Sequence, residues 1–221
     1  MIAVLTADLI DSSHYDKKAL KVIIKSLQEE FKAITKETNQ EAHFSLFRGD
    51  SFQGIIKDPS LALNIALRLK ATVAKAQLDN SKSKAMMPLG NVRIAIGIGE
   101  GEYAPDDIHT SNGEAFKLSG QSLDGMQKQH KKMSFNSANQ NINDEFLVSF
   151  AFLDGATDRW SVASSEVIYY LLKGLKEQQI ADTLDRSQAA INLRKKAASW
   201  DEIQLLLKRF DHVINNYKND R

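Results

Sequence analysis

The chain has 221 residues, 43% of them apolar and 26% charged, which is enough to bury one large core or two small ones and points away from a disordered protein. A formal net charge of +1 excludes a global field that would draw the protein to nucleic acid, so any such affinity has to come from a local patch. The absence of cysteine excludes disulfides and thiolate metal centres, zinc fingers included.

Residues 2 to 7 form a continuous apolar run closed by Asp8, the pattern of a central strand. It is too short and too quickly followed by charge to be a signal segment, and no apolar stretch approaches a membrane span. A cytoplasmic protein is therefore expected. From Asp16 to about Lys36, Leu20, Ile23, Ile24, Leu27, Phe31 and Ile34 recur at helical spacing and predict an amphipathic helix. Phe44 to Phe47 and Phe52 to Ile56 flank Arg48-Gly-Asp-Ser51 and predict a hairpin. Asp58 and Pro59 open a second helix that runs through Val73, and Asp79 to Lys84 reads as a loop. Val92 to Ile98 is a further strand, followed by a turn-rich stretch through Pro105 and Asp107 and a helix from Glu114 to about Gln129. Gly97, Gly99 and Gly101 read as turn or bulge glycines, not as a dinucleotide fingerprint.

This order predicts an α+β fold, a ferredoxin-like antiparallel sheet with helices on one face, over residues 1–132. The asparagine-rich stretch 133–143 reads as a linker, and residues 144–221 as an all-helical domain with breaks at Gly155 and Gly174. Trp160, Trp200, Tyr169 and Tyr170 fall at apolar helical positions and are expected in the core. The last helix carries an apolar stripe of Ile203, Leu206, Leu207, Phe210 and Ile214 that suits either its own domain or a second subunit.

Asp8 and Asp50 each end a strand, and the predicted topology brings the two together. Carboxylates are natural ligands for magnesium or manganese, which retain waters and substrate phosphates. The plainer alternative is a turn cap and a hairpin residue. Arg48 pairs with Asp50 or meets a phosphate on the same reading, and His14, His43 and His109 lie in separate elements and are assigned no role. Ala7-Asp-Leu-Ile-Asp-Ser12, Gly49-Asp-Ser-Phe-Gln-Gly54, Val92 to Gly99 and Gly113-Glu-Ala-Phe116 together resemble the motifs of the SatD family, whose first domain is similar to class III nucleotidyl cyclases and palm domains. The resemblance implies Asp8 and Asp50 as metal ligands. It places the backbone amides of Leu9, Ile10, Asp11, Ser12 and Ser13, with Gly49, at the phosphates of a nucleotide. The family's base-reading lysine falls on Leu46. Its sugar-orienting asparagine and charge-stabilising arginine fall on Lys117 and Gln121, so Lys117 is the remaining candidate for a phosphate contact. Losing that arginine removes much of the charge stabilisation that phosphoryl transfer needs, and the resemblance implies binding without turnover.

From Glu177 to Ala198 the spacing is that of a helix, a tight turn and a helix, with Ile180, Ala181, Leu184, Ile191 and Ala198 apolar and Ser187 placed to cap the second helix. This resembles the helix-turn-helix of sigma-factor region four and response-regulator output domains, with Asp185 where glycine is common. The resemblance implies double-stranded DNA as partner. Ser187, Gln188 and Asn192 would lie at base edges, and Arg194, Lys195 and Lys196 at phosphates or guanine. The alternative is a helical bundle with a solvated basic face. The expectation is a DNA-binding transcriptional regulator, a homodimer on this reading, whose degenerate cyclase-like domain senses a nucleotide or second messenger with Mg or Mn. An active cyclase or nucleotidyltransferase using Asp8 and Asp50, or a protein-association scaffold, are the alternatives.

Overall fold

The computed structural model describes residues 1–47, 49–78, 87–104 and 107–219. The predicted loop at Asp79 to Lys84, Arg48 and Pro105 lie outside the described residues. Seven strands and eight α-helices follow in the order β1 (Ile2–Leu9), α1 (Lys17–Glu37), β2 (Ala42–Phe47), β3 (Ser51–Ile56), α2 (Ala62–Lys75), β4 (Val92–Gly99), β5 (Gly101–Ala104), β6 (Asp107–Gly113), α3 (Glu114–Met126), β7 (Met133–Ser137), α4 (Gln140–Thr157), α5 (Val162–Leu172), α6 (Glu177–Leu184), α7 (Gln188–Ala197) and α8 (Trp200–Asn219). The main sheet has the order β2-β3-β1-β4-β7. Its first four strands are antiparallel to their neighbours, which is the ferredoxin-like arrangement. β7 joins β4 in parallel, and β5 and β6 form a separate hairpin.

β1 sits at the centre because every residue from Ala3 to Leu5, with Ala7 and Leu9, is buried. Its odd residues, Ala3, Leu5, Ala7 and Leu9, join the main core with α1 and α2. Its even residues Ile2 and Val4 pack with Ala115 and Phe116 of α3 in a second, smaller cluster. Helices therefore cover both faces of the sheet, correcting the one-face expectation. The reason lies at Gly97, paired with Val4 in the register. A Cβ there would stand 2.3 Å from the Ala115 carbonyl oxygen and 2.5 Å from the Ser119 nitrogen, so the missing side chain is what lets α3 lie on the strand. Gly97 is a packing glycine rather than a turn residue.

The stretch expected to be a linker is strand β7 and the first turn of α4. Met133 is buried and Phe135 packs on the main core, while Ser134 and Asn136 alternate with them. The Asn143 amide closes the strand's end, accepting from the Ser137 amide at 2.8 Å and donating to the Ser137 carbonyl at 2.8 Å. Gly155 interrupts nothing, since α4 runs through it to Thr157. One hydrophobic core continues from Leu5 and Ile23 through Phe146, Phe150 and Trp160 to Phe210 and Ile214. The helical half is thus packed on the sheet half. A buried polar network reinforces the join. Arg68 of α2 donates from Nε to Glu30 of α1 at 3.0 Å and from Nη1 to Glu37 at 2.6 Å, and the Tyr169 hydroxyl of α5 donates to the second Glu30 oxygen at 2.6 Å. Desolvation, then the bond to Glu30, pushes the Tyr169 phenol well above its ordinary value.

Candidate functional site

Side chains alternate along a strand, so Asp8 shares the face of Thr6, Val4 and Ile2. The register sets Asp8 opposite Ser51 on one side and Arg93 on the other. α3 covers the lower part of this face, where the Thr6 and Ser119 hydroxyls are 2.8 Å apart and the Gln53 amide donates to Thr6 at 3.2 Å. The row Ser51, Asp8 and Arg93 crosses three strands at the end where β1 gives way to its following loop.

Asp50 reaches the same end from the hairpin turn, where Gly49 supplies a positive φ of 85°. The Leu9 amide donates to the Asp50 carbonyl at 2.9 Å, so the turn sits directly on the end of β1. The Asp50 carboxylate accepts from the Ser12 hydroxyl at 2.7 Å and from the Ser51 hydroxyl at 3.3 Å. It clips the hairpin to the short 3-10 turn Ser12–His14, which begins after Asp11 in the left-handed region at φ 54°. Asp8 and Asp50 are therefore neighbours through the backbone, as the topology predicts.

Their side chains are committed elsewhere. Arg93 grips Asp8 with two parallel bonds, Nε to Oδ1 at 2.9 Å and Nη2 to Oδ2 at 2.6 Å, with the two side chains 15% and 27% exposed. The bond to Asp8 raises the Arg93 guanidinium above its ordinary value. A planar, delocalised guanidinium in this bidentate geometry neutralises both oxygens at once. Among the described residues no group of three or more histidine, aspartate or glutamate side chains is arranged to hold a metal. The donor set does not fit a divalent cation while Arg93 holds Asp8, because the ion would have to displace a resident positive charge. Sequence reasoning missed Arg93. Its signal was a lone cation inside an otherwise apolar strand, with the parity that turns it to the Asp8 face once the register is known.

The loop amides divide in two. Leu9 and Ile10 donate to the carbonyls of Asp50 and Asn91, each at 2.9 Å, whereas Asp11, Ser12 and Ser13 follow in the turn that Asp50 holds through the Ser12 hydroxyl. Lys117 stands exposed on α3, and Leu46 packs against the main core. His14 ends the 3-10 turn and His43 lies in β2.

In the helical half, Val167 of α5 packs with Ile180, Ala181 and Ile191 in a cluster of its own, bordered by Tyr170, Leu175 and Leu184. Asp185 takes the left-handed conformation at φ 50° and ψ 59° and closes α6, with the Arg186 amide donating back to Ala181 at 3.0 Å. The Ser187 hydroxyl caps α7 by accepting from the Ala190 amide at 3.2 Å. Ser187, Gln188, Leu193 and Lys196 are exposed, Asn192 half-buried. Arg194 and Lys195 are half-buried beside carboxylates of the helical half. Arg194 lies 3.9 Å from Glu166, and Lys195 pairs with Glu177 at 3.0 Å and Asp201 at 3.3 Å. Arg186, which the sequence reading passed over, is exposed at the turn.

No protein-family model matches the chain, and no curated protein matches it. Among solved structures it is similar to a bacterial light-regulated adenylyl cyclase, at 11% identity over 61% of this chain and 74% of that one, with a TM-score of 0.42. It is similar also to the catalytic core of a rhodopsin-guanylyl cyclase with converted specificity, at 17% identity, 54% and 69% coverage and a TM-score of 0.37. The guanylyl cyclase domain of the RhoGC fusion protein from the aquatic fungus Blastocladiella emersonii matches at 18% identity, 54% and 71% coverage and a TM-score of 0.36. No helix among the described residues is long and apolar enough to cross a membrane.

Proposed function

We propose that this chain is a DNA-binding transcriptional regulator whose palm-like half holds a nucleotide without cyclising it. The observation that carries the reading is the α6–α7 pair, two short helices closed by a tight turn and seated on α5, with the outward face of α7 left to solvent. In such a unit the second helix enters the major groove with its first residues at base edges. Here those are Ser187, Gln188 and Asn192, and the amide side chains match the donor and acceptor pair of adenine. Lys196 and Arg186 serve the phosphates, since Arg194 and Lys195 are held within the chain. Two phosphates neutralised per protomer give a shallow salt dependence, a slope of about −2 in log K against log salt for each protomer bound.

The test is selection from a random duplex library with the full chain, then titration of the selected and a scrambled duplex at several salt concentrations. A recovered motif is expected. Gln188→Ala and Asn192→Ala should weaken binding to the selected duplex only, whereas Lys196→Ala should weaken both alike. Equal affinity for selected and scrambled duplexes would refute the regulator reading. For the palm-like half, the amides of Asp11, Ser12 and Ser13 beside Asp50 support a phosphate contact, and the Arg93–Asp8 pair supports binding without metal-dependent turnover. A nucleoside triphosphate that raises the melting temperature yet gives no product is the expected result.

A second reading, a metal-dependent nucleotidyl cyclase or nucleotidyltransferase using Mg or Mn, is favoured by the adjacency of Asp8 and Asp50 at the end of β1. It requires Arg93 to release Asp8. Arg93→Met should then raise product formation from a nucleoside triphosphate and Asp8→Asn abolish it; product from neither the wild-type chain nor Arg93→Met removes this reading.

A further inference from the structure

Eight large apolar side chains stand exposed among the described residues, and four of them, Leu147, Val148, Phe152 and Leu205, lie on α4 and α8. Phe152 is 77% exposed and Leu205 68%. α4 sends Ile142, Phe146, Phe150 and Leu153 into the core and still shows Leu147, Val148 and Phe152 outside, so it is apolar on nearly every side. That is the composition of a helix surrounded by protein. Phe152 and Ala156 of α4 and Leu205 and Leu206 of α8 line one groove, with Glu202 and Arg209 at its rim. An apolar groove with charges at its edge is a surface that a partner can cover.

The charges identify the occupant. Glu202 and Arg209 stand two turns apart on α8 and are equidistant from the point between Leu205 and Leu206. A second α8 laid antiparallel across that point by a two-fold axis brings each Glu202 to the Arg209 of the other copy and sets Leu205 against Leu206. A self-complementary pattern of this kind is what an isologous contact requires. Arg209 Nε already donates to Glu145 of α4 at 2.6 Å in an exposed pair, so in the dimer its guanidinium is shared between Glu145 and the partner's Glu202.

We propose that the α4–α8 face is a two-fold interface at which two copies of this chain pair, α4 and α8 of each forming a four-helix bundle. The inference does not depend on DNA binding by α7. Sedimentation equilibrium of the full chain across micromolar concentrations tests it, and the expected species is a dimer. Phe152→Asp and Leu205→Asp should each raise the dimer Kd by roughly a hundredfold, with far-UV circular dichroism confirming the fold. Glu202→Arg and Arg209→Glu each set like charges against each other in the homodimer, and each variant should be monomeric alone. Mixed together, the two variants meet with opposite charges at both rim positions and should dimerise again. A wild-type monomer throughout, a dimer indifferent to Phe152→Asp and Leu205→Asp, or folded swap variants that stay apart on mixing would each overturn the proposal.

Discussion

Replacing Glu30 by alanine should cost about 3–4 kcal/mol and lower one shared melting transition for the whole chain. Glu30 is 4% exposed and Arg68 6%, so the pair is out of water on both sides. Glu30 accepts from Arg68 through Nε and Nη2 and from Tyr169 through its other oxygen. Deleting the carboxylate leaves a buried guanidinium, for which removal of one partner costs about 3–5 kcal/mol, and orphans a hydroxyl whose bond to a charged group is worth about 1.5–3 kcal/mol. These costs overlap. Glu37 still holds Nη1 at 2.6 Å, which keeps the total toward the lower end. At 2–4 °C per kcal/mol for a chain of this size, the melting temperature should fall by roughly 6–16 °C. Glu30→Met with Arg68→Met removes both charges together and should recover about half of the loss, since the Tyr169 hydroxyl still lacks its acceptor, and Tyr169→Phe alone should cost about 1.5 kcal/mol. Urea unfolding followed by tryptophan fluorescence and far-UV circular dichroism reads all four proteins. The side chains of Glu30 and Tyr169 join the sheet half to the helical half, so both probes should trace one curve. A loss below about 1 kcal/mol for Glu30→Ala, or two separate transitions, would refute the reasoning.

Other consequences are as direct. Burial pushes the Lys70 ammonium from 10.5 to about 8, with Asp154 and Asp158 opposing the shift. Between those values the unfolded chain holds the extra proton, so this site's contribution to stability rises with pH from about 8 toward 10.5. Urea unfolding over that range should show the wild type gaining on Lys70→Met, and parallel curves would contradict the assignment. Gly97→Val sets a side chain against the α3 backbone and should cost about 3 kcal/mol, measured by denaturation; a cost near zero would mean that α3 does not lie on β4. Ser187→Ala removes the cap of α7 and should cost about 1 kcal/mol, read by the same assay, and a neutral result would argue against the turn described.

The sequence alone determined what depends on local pattern. The apolar run of β1, the helical spacing of α1, the hairpin around Gly49 and Asp50, and the Ser187 cap are each legible because propensity and periodicity act over a few residues. β7 was not legible. Met133 to Ser137 holds two large apolar residues among polar ones, and only pairing with β4 makes it a strand. The face that α3 takes was hidden too, because Gly97 looks like any turn glycine until a helix backbone is found 2.3 Å from its missing Cβ. At the site, the sequence brought Asp8 and Asp50 to one end of the sheet. Tertiary structure alone decided that Arg93, 85 residues away, neutralises Asp8, and that Arg194 and Lys195 lie beside carboxylates of their own domain. The physical reason is common to these cases. Strand register and helix seating select each charge's partner from residues distant in sequence, and that selection leaves no trace in local composition.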